Sequence, residues 1–116
     1  MYLNEKVCAD TGASNDVLGV DSIKKLDSEF SVDPIELDTA GPDPVNVTAL
    51  GDVQHLPGLE TKNGLIAPWS DVTLLSITKR LKVGWTFWCE KDFAVLSDPA
   101  GKEFYFRTPP AEVASK

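Results

Sequence analysis

Eight prolines, at positions 34, 42, 44, 57, 68, 99, 109 and 110, and eight glycines are scattered along this chain and cut it into short segments. Proline cannot donate to a hydrogen-bond ladder and breaks helix interiors, while glycine weakens either regular element. Short segments with frequent punctuation favour β structure over helices. No internal repeat and no low-complexity stretch offers another way to organise the chain. At 116 residues it fits one compact domain and is too short for two full lobes.

The segments between these breaks can be read one at a time. Lys6-Val7-Cys8-Ala9 is a small extended run that stops at Asp10. Residues 21–26 have room for one or two helical turns, with Asp21 or Ser22 as N-cap. Residues 35–38 and 45–48 alternate apolar with polar side chains, the period of a half-exposed strand. Between them lies Thr39-Ala40-Gly41-Pro42-Asp43-Pro44, whose prolines and glycine make a loop tip, so residues 35–50 predict a projecting β-hairpin. Leu65-Ile66-Ala67 is a brief buried strand ending at Pro68.

The best helix spans residues 74–82, with Leu74, Ile77 and Leu81 on one face and Asp71 as a start signal. Lys79, Arg80 and Lys82 lie in its last turn, and Gly84 closes it. Residues 85–89, 93–97 and 103–107 then predict an antiparallel meander, with Asp98-Pro99-Ala100-Gly101 as a turn. Residues 1–108 form the expected domain and 109–116 a flexible C-terminal tail.

The formal net charge of -7 argues against nucleic acid and against an anionic membrane surface as partners. Residues 9–60 carry 11 acidic and 2 basic side chains, whereas residues 61–116 carry 6 and 8. Such a bias is most simply a solvated acidic face, or else a self-complementary surface or a site that prefers particular peptides. No apolar run approaches the length of a membrane span, and residues 1–6 lack the apolar region of a signal peptide. Cys8 and Cys89 are too few for a disulfide framework, so reduced thiols and a cytoplasmic location are expected.

One tetrad carries chemistry: Asp10-Thr11-Gly12-Ala13, followed by Ser14, directly after an extended run. A carboxylate at a strand end is presented on a loop, Thr11 offers a hydroxyl to lock that loop, and Gly12 admits close backbone approach. Two such carboxyls about 3 Å apart cannot both ionise and so share a proton, one activating water while the other protonates a substrate carbonyl. Only one such tetrad exists, and the similar Asp38-Thr39-Ala40-Gly41 falls at the hairpin tip. The second carboxylate must therefore come from a second copy of the chain.

These residues resemble the retropepsins, the single-domain aspartic proteases of retroviruses and retrotransposons. Within that family they look most like the protease domain of copia-type Pol polyproteins. The resemblance spans residues ~7–106 in four pieces of the right order. The first is Val7-Cys8-Ala9-Asp10-Thr11-Gly12-Ala13-Ser14, similar to the active-site loop. The second is Leu37-Asp38-Thr39-Ala40-Gly41 with Val47-Thr48-Ala49-Leu50-Gly51-Asp52-Val53, similar to the flap region. The third is residues 65–68 with 72–81, and the fourth is residues 83–87 through the Asp98-Pro99-Ala100-Gly101-Lys102 turn.

The resemblance implies an all-β closed barrel with a flap hairpin and one short helix, acting as an aspartic endopeptidase on a retrotransposon-type polyprotein. Asp10 would be the catalytic aspartate of a homodimer, Thr11 would brace the two loops, and Gly12 would contact substrate backbone. Ala13 and Ser14 would line the cleft, and Thr39, Ala40 and Gly41 would belong to the flap over the bound peptide. No metal and no organic cofactor is implied. Viral members carry an acid two residues after the tetrad's glycine and a Gly–Arg pair before the C-terminal helix. Here those positions hold Ser14 and Ser76-Ile77, so that ion pair is expected to be absent. An alternative is a catalytically inactive, retroelement-derived β-barrel interaction module.

Other readings are weaker. Phosphoryl transfer on Asp10 lacks a companion Asp or Lys, a later acidic metal motif and sufficient length. Trp69, Trp85 and Trp88 suit core packing better than a ligand platform. His55, the only histidine, is expected in a surface loop beside Pro57-Gly58. Cys8, Cys89 and His55 lack zinc spacing, and Asp10, Asp16 and Asp21 lack the calcium-loop pattern.

Overall fold

A computed structural model describes residues 1–4, 6–37 and 43–108. Ten strands and two short helices follow in the order β1 (Tyr2–Asn4), β2 (Val7–Asp10), β3 (Val17–Leu18), α1 (Val20–Ile23), β4 (Ser28–Leu37), β5 (Val45–Leu56), β6 (Leu59–Ile66), β7 (Thr73–Ser76), α2 (Ile77–Leu81), β8 (Thr86–Cys89), β9 (Phe93–Ser97) and β10 (Glu103–Arg107). The chain is mostly β, as its punctuation predicts. Among the described residues no helix is long and apolar enough to cross a membrane.

The strands form one sheet in the order β4-β5-β6-β3-β7-β2-β1-β10-β9-β8. Among the described residues β4 does not pair with β8, so the sheet stays open and the expected closed barrel is corrected. Two features account for this. Pro34 sits in β4 where its register with β5 shifts, between Ser31 and Ile35, and proline suits only a strand edge or bulge. The apolar side chains also gather in two separate clusters. Val7, Leu59, Leu75, Ile77, Ala94, Leu96, Phe104 and Phe106 make one, and Leu18, Val53 and Ile66 the other.

The hairpin expected at residues 35–50 is present and longer than its alternating core. β4 pairs antiparallel with β5, with Ile35 opposite Val47 and Leu37 opposite Val45. The proposed flap residues Thr39, Ala40 and Gly41 lie outside the described residues, as does the proposed tail at 109–116. β5 continues through His55 to Leu56, where Pro57 and Gly58 (φ +88°) turn the chain into β6. Proline followed by a positive-φ glycine is the chemistry of a type II turn. His55 is therefore a core-facing strand residue, two positions after Val53, and not part of a surface loop.

The helix expected over 74–82 is shorter than its apolar spacing suggests. Leu74 and Leu75 belong to β7, which runs parallel to β2 and pairs Cys8 with Leu74 and Ala9 with Leu75. The helix starts only at Ile77, because Ser76 adopts an extended backbone and its hydroxyl caps the amide of Lys79 at 3.0 Å. Leu81, assigned by spacing to the buried face, is 47% exposed. At the other end Trp85 N–H reaches Arg80 C=O and Gly84 N–H (Gly84 φ +94°) reaches Leu81 C=O, the paired bonds of a Schellman close. A second helix, α1, occupies the turns expected near 21–26. Its N-cap is Gly19, with no side-chain cap bond.

The C-terminal meander forms as expected, with β10 on β9 and β9 on β8 in antiparallel register. Gly101 N–H closes the Asp98 turn at 2.9 Å. β1 lies between β2 and β10, which joins the meander to the strand bearing Asp10.

Candidate active site

Asp10 is the last residue of β2 and sits in register with Ser76, the last residue of β7. Both strands end there, so a loop and a helix leave side by side from one edge of the parallel pair. Gly12 N–H returns to Asp10 Oδ1 at 2.8 Å and fixes the carboxylate on its own loop. A side chain on Gly12 would meet Oδ1 at 3.4 Å, ordinary contact, so room within the chain does not require a glycine here. Among the described residues no lysine or arginine pairs with Asp10.

The start of α2 holds the loop from three points. Ser76 Oγ–H donates to Ala13 C=O at 2.6 Å, Thr78 Oγ1–H to Thr11 C=O at 3.0 Å, and Lys79 Nζ to Asn15 Oδ1 at 2.8 Å. In this chain Thr11 braces the loop through its carbonyl, received by a threonine of the helix.

Behind the loop lies a buried charged network that the sequence reading did not find. Arg80 binds Asp16 with both terminal nitrogens, at 2.8 Å to Oδ1 and 2.8 Å to Oδ2. Ser76 N–H adds a bond to Oδ1 at 2.6 Å, and Thr61 Oγ1–H one to Oδ2 at 2.6 Å. Arg80 also reaches the carbonyls of Ser76 and Glu60. Burial alone would raise the Asp16 pKa, but the Arg80 hydrogen bonds and charge, Thr61 and Ser76 outweigh it and hold the carboxyl below its ordinary 3.8. Ser14, Ser76 and Ile77 carry no charge, and the buried ion pair behind the loop is that of Asp16 with Arg80.

A cleft of about 710 Å³ opens in front of Asp10. Gly12, Ala13, Ser14 and Asn15 supply its loop side. Val17, Leu37, Leu65 and Leu74 supply apolar wall, and Trp69 with Ser70 closes another side. Asp10 is the one acid in this lining among the described residues. Of the residues picked from sequence, Asp10, Gly12, Ala13 and Ser14 line the cleft, while Thr11 is exposed and outside its lining.

Trp69 is half exposed and faces the cleft, and Trp88 is 46% exposed against Phe93, so both depart from the expected core packing. Only Trp85 packs on the core, stacked on Phe104 at 6.0 Å. Proline and serine hold residues 68–70 in a short connection between β6 and β7, and this turns Trp69 outward. Its place between a proline and a polar pair was the available signal.

Chemically the arrangement offers one carboxylate, tied to its own loop by the Gly12 amide, in a cleft of mixed polar and apolar lining. No group of three or more metal-ligating side chains occurs among the described residues. No family model, curated protein or solved structure matches the chain.

Proposed function

We propose that this chain is an aspartic endopeptidase of retropepsin type, working as a homodimer in which Asp10 faces the Asp10 of a second copy. The observation that carries the reading is the site of Asp10: a strand-end carboxylate on a braced Asp-Thr-Gly loop and, among the described residues, the one acid in the lining of a 710 Å³ cleft. A lone carboxylate cannot be ionised and protonated at once, so acid–base hydrolysis of an amide needs a second one. The next acid along the loop, Asp16, is committed to Arg80. A symmetric partner is the economical source.

In that dimer the ionised carboxyl takes a proton from water while the protonated one donates to the scissile carbonyl oxygen. The hydroxyl adds to the carbonyl carbon. The C–N bond then breaks as a proton passes to the amine nitrogen. The shared proton belongs to the pair, so the site has two macroscopic pKa values. Val17, Leu65, Leu74 and Trp69 favour an extended peptide with apolar side chains at the scissile bond. β4 ends at Leu37, which lines the same cleft.

The concentration dependence of specific activity tests the shared site. Activity per chain should rise steeply with concentration until the dimer is saturated. A chain that remains monomeric and inert at all concentrations supports the interaction-module alternative instead.

A further inference from the structure

We propose that His55 and Thr61 form a proton-responsive brace on the Asp10 loop, holding it tight while the His55 ring is neutral and loosening it when the ring takes up a proton. The inference stands whether or not Asp10 hydrolyses peptides.

The hydrogen bonds assign their own directions. Thr61 has a single hydroxyl proton, and an ionised Asp16 can only accept, so that proton points to Asp16 Oδ2 at 2.6 Å. The contact between His55 Nε2 and Thr61 Oγ1, at 2.7 Å, must then run from the ring N–H to the hydroxyl oxygen. This fixes the tautomer with its proton on Nε2. Nδ1 keeps a bare lone pair, and it is buried with no hydrogen-bond partner among the described residues. His55 as a whole is 9% exposed.

A second proton can enter the ring only at Nδ1, where no acceptor waits for it. The surroundings are set against the cation. Burial is the largest effect, and the Arg80 guanidinium on α2 and the Lys25 ammonium after α1 add repulsion. Only the Asp16 carboxylate favours the charge, and together these push the ring's pKa down to about 4. The charged groups beside Thr61 on β6, Glu60 and Lys62, stay on the outer face, where Lys62 lies 4.0 Å from both Glu60 and Asp52.

A protonated ring is therefore relieved by leaving its site, which frees the Thr61 hydroxyl from its donor. The consequence travels along a short path. Thr61 is one of the groups holding Asp16, Asp16 holds the Ser76 amide, and Ser76 Oγ holds the Ala13 carbonyl in the Asp10 loop. In such networks the loss of one member weakens its neighbours.

The test is a pH titration of the isotope-labelled full chain by NMR, from neutral pH to about 3, past the ring's midpoint. It follows the His55 ring protons and the backbone amides of Ala13 and Ser76. The Gly12 amide is set aside because it bonds directly to the Asp10 carboxylate. In the wild type, the Ala13 and Ser76 amides should shift with the same midpoint as the ring. In His55→Gln, whose amide can still donate to Thr61 but cannot take a proton, that component should vanish. In Thr61→Val the ring should titrate while the loop amides no longer follow it. Loop amides that stay still while the wild-type ring titrates would overturn the proposal without recourse to any variant. So would an unchanged loop titration in His55→Gln.

Discussion

Arg80 and Asp16 meet side-on, two guanidinium nitrogens against two carboxylate oxygens at 2.8 Å each, with side chains only 7% and 1% exposed. The pair joins the loop that follows Asp10 to α2, the helix after β7. A buried ion pair adds little net stability over an apolar pair of the same shape, because both charges lose water. Its removal from one side only is another matter.

Arg80→Met should leave Asp16 buried without a countercharge and destabilise the fold by about 3–5 kcal/mol. Asp16→Asn in the same background should restore part of that loss, since no bare charge remains. Urea unfolding of the four corners of this double-mutant cycle checks the expectation. Additive losses would mean that the two side chains do not depend on each other.

Stability should fall in acid along two separable limbs. The His55 pKa drops from 6.5 unfolded to about 4 folded, so its contribution is fully present above the unfolded value and is lost as pH falls between them. That limb amounts to about 3 kcal/mol. Asp16 is held below 3.8, so its contribution persists through that range and disappears only as pH falls through the lower, folded value. Urea midpoints measured against pH should show both limbs in the wild type, and His55→Gln should remove the upper one alone.

Trp69→Ala should change stability little, by under about 1 kcal/mol, because the side chain is half exposed. Its effect should appear in the cleft. We expect KM for peptides with an aromatic or large aliphatic side chain at the scissile bond to rise by about tenfold, equivalent to about 1.4 kcal/mol of lost contact. Kinetics on paired peptides differing at that one side chain measure it, and equal losses for polar and apolar peptides would exclude Trp69 as a selector.

Much of this site could be read from the residues, and the part that could not has a physical reason. Asp10 and its loop were visible because they are contiguous: strand, carboxylate and glycine follow one another. The hairpin and the meander were visible because their strands alternate. What was hidden depends on residues far apart in sequence. Asp16 and Arg80 lie 64 positions apart, and Asp16 and Thr61 lie 45 apart. Nothing local marks an aspartate as the partner of a distant arginine.

Two local signals pointed the wrong way. Leu74, Ile77 and Leu81 have helical spacing, yet the parallel pairing of β7 with β2 takes Leu74 and Leu75 into the sheet. His55 stands near Pro57-Gly58, which suggested a loop. The alternation Val53, His55, then Leu59, Thr61 across a two-residue turn is the pattern of a hairpin with an inward-facing histidine. The open sheet also lay beyond local pattern, since closure depends on whether two edge strands far apart in the chain meet.

The central claim is that Asp10 is the carboxylate that hydrolyses peptide bonds. The most direct measurement incubates the wild type and Asp10→Asn, each at a concentration that favours dimers, with a mixed library of extended peptides and reads new termini by mass spectrometry. The account predicts cleavage by the wild type next to apolar residues, strongest at mildly acidic pH, and none by Asp10→Asn. Cleavage that persists undiminished in Asp10→Asn, or a correctly folded wild-type dimer that cuts nothing at any pH, would contradict it.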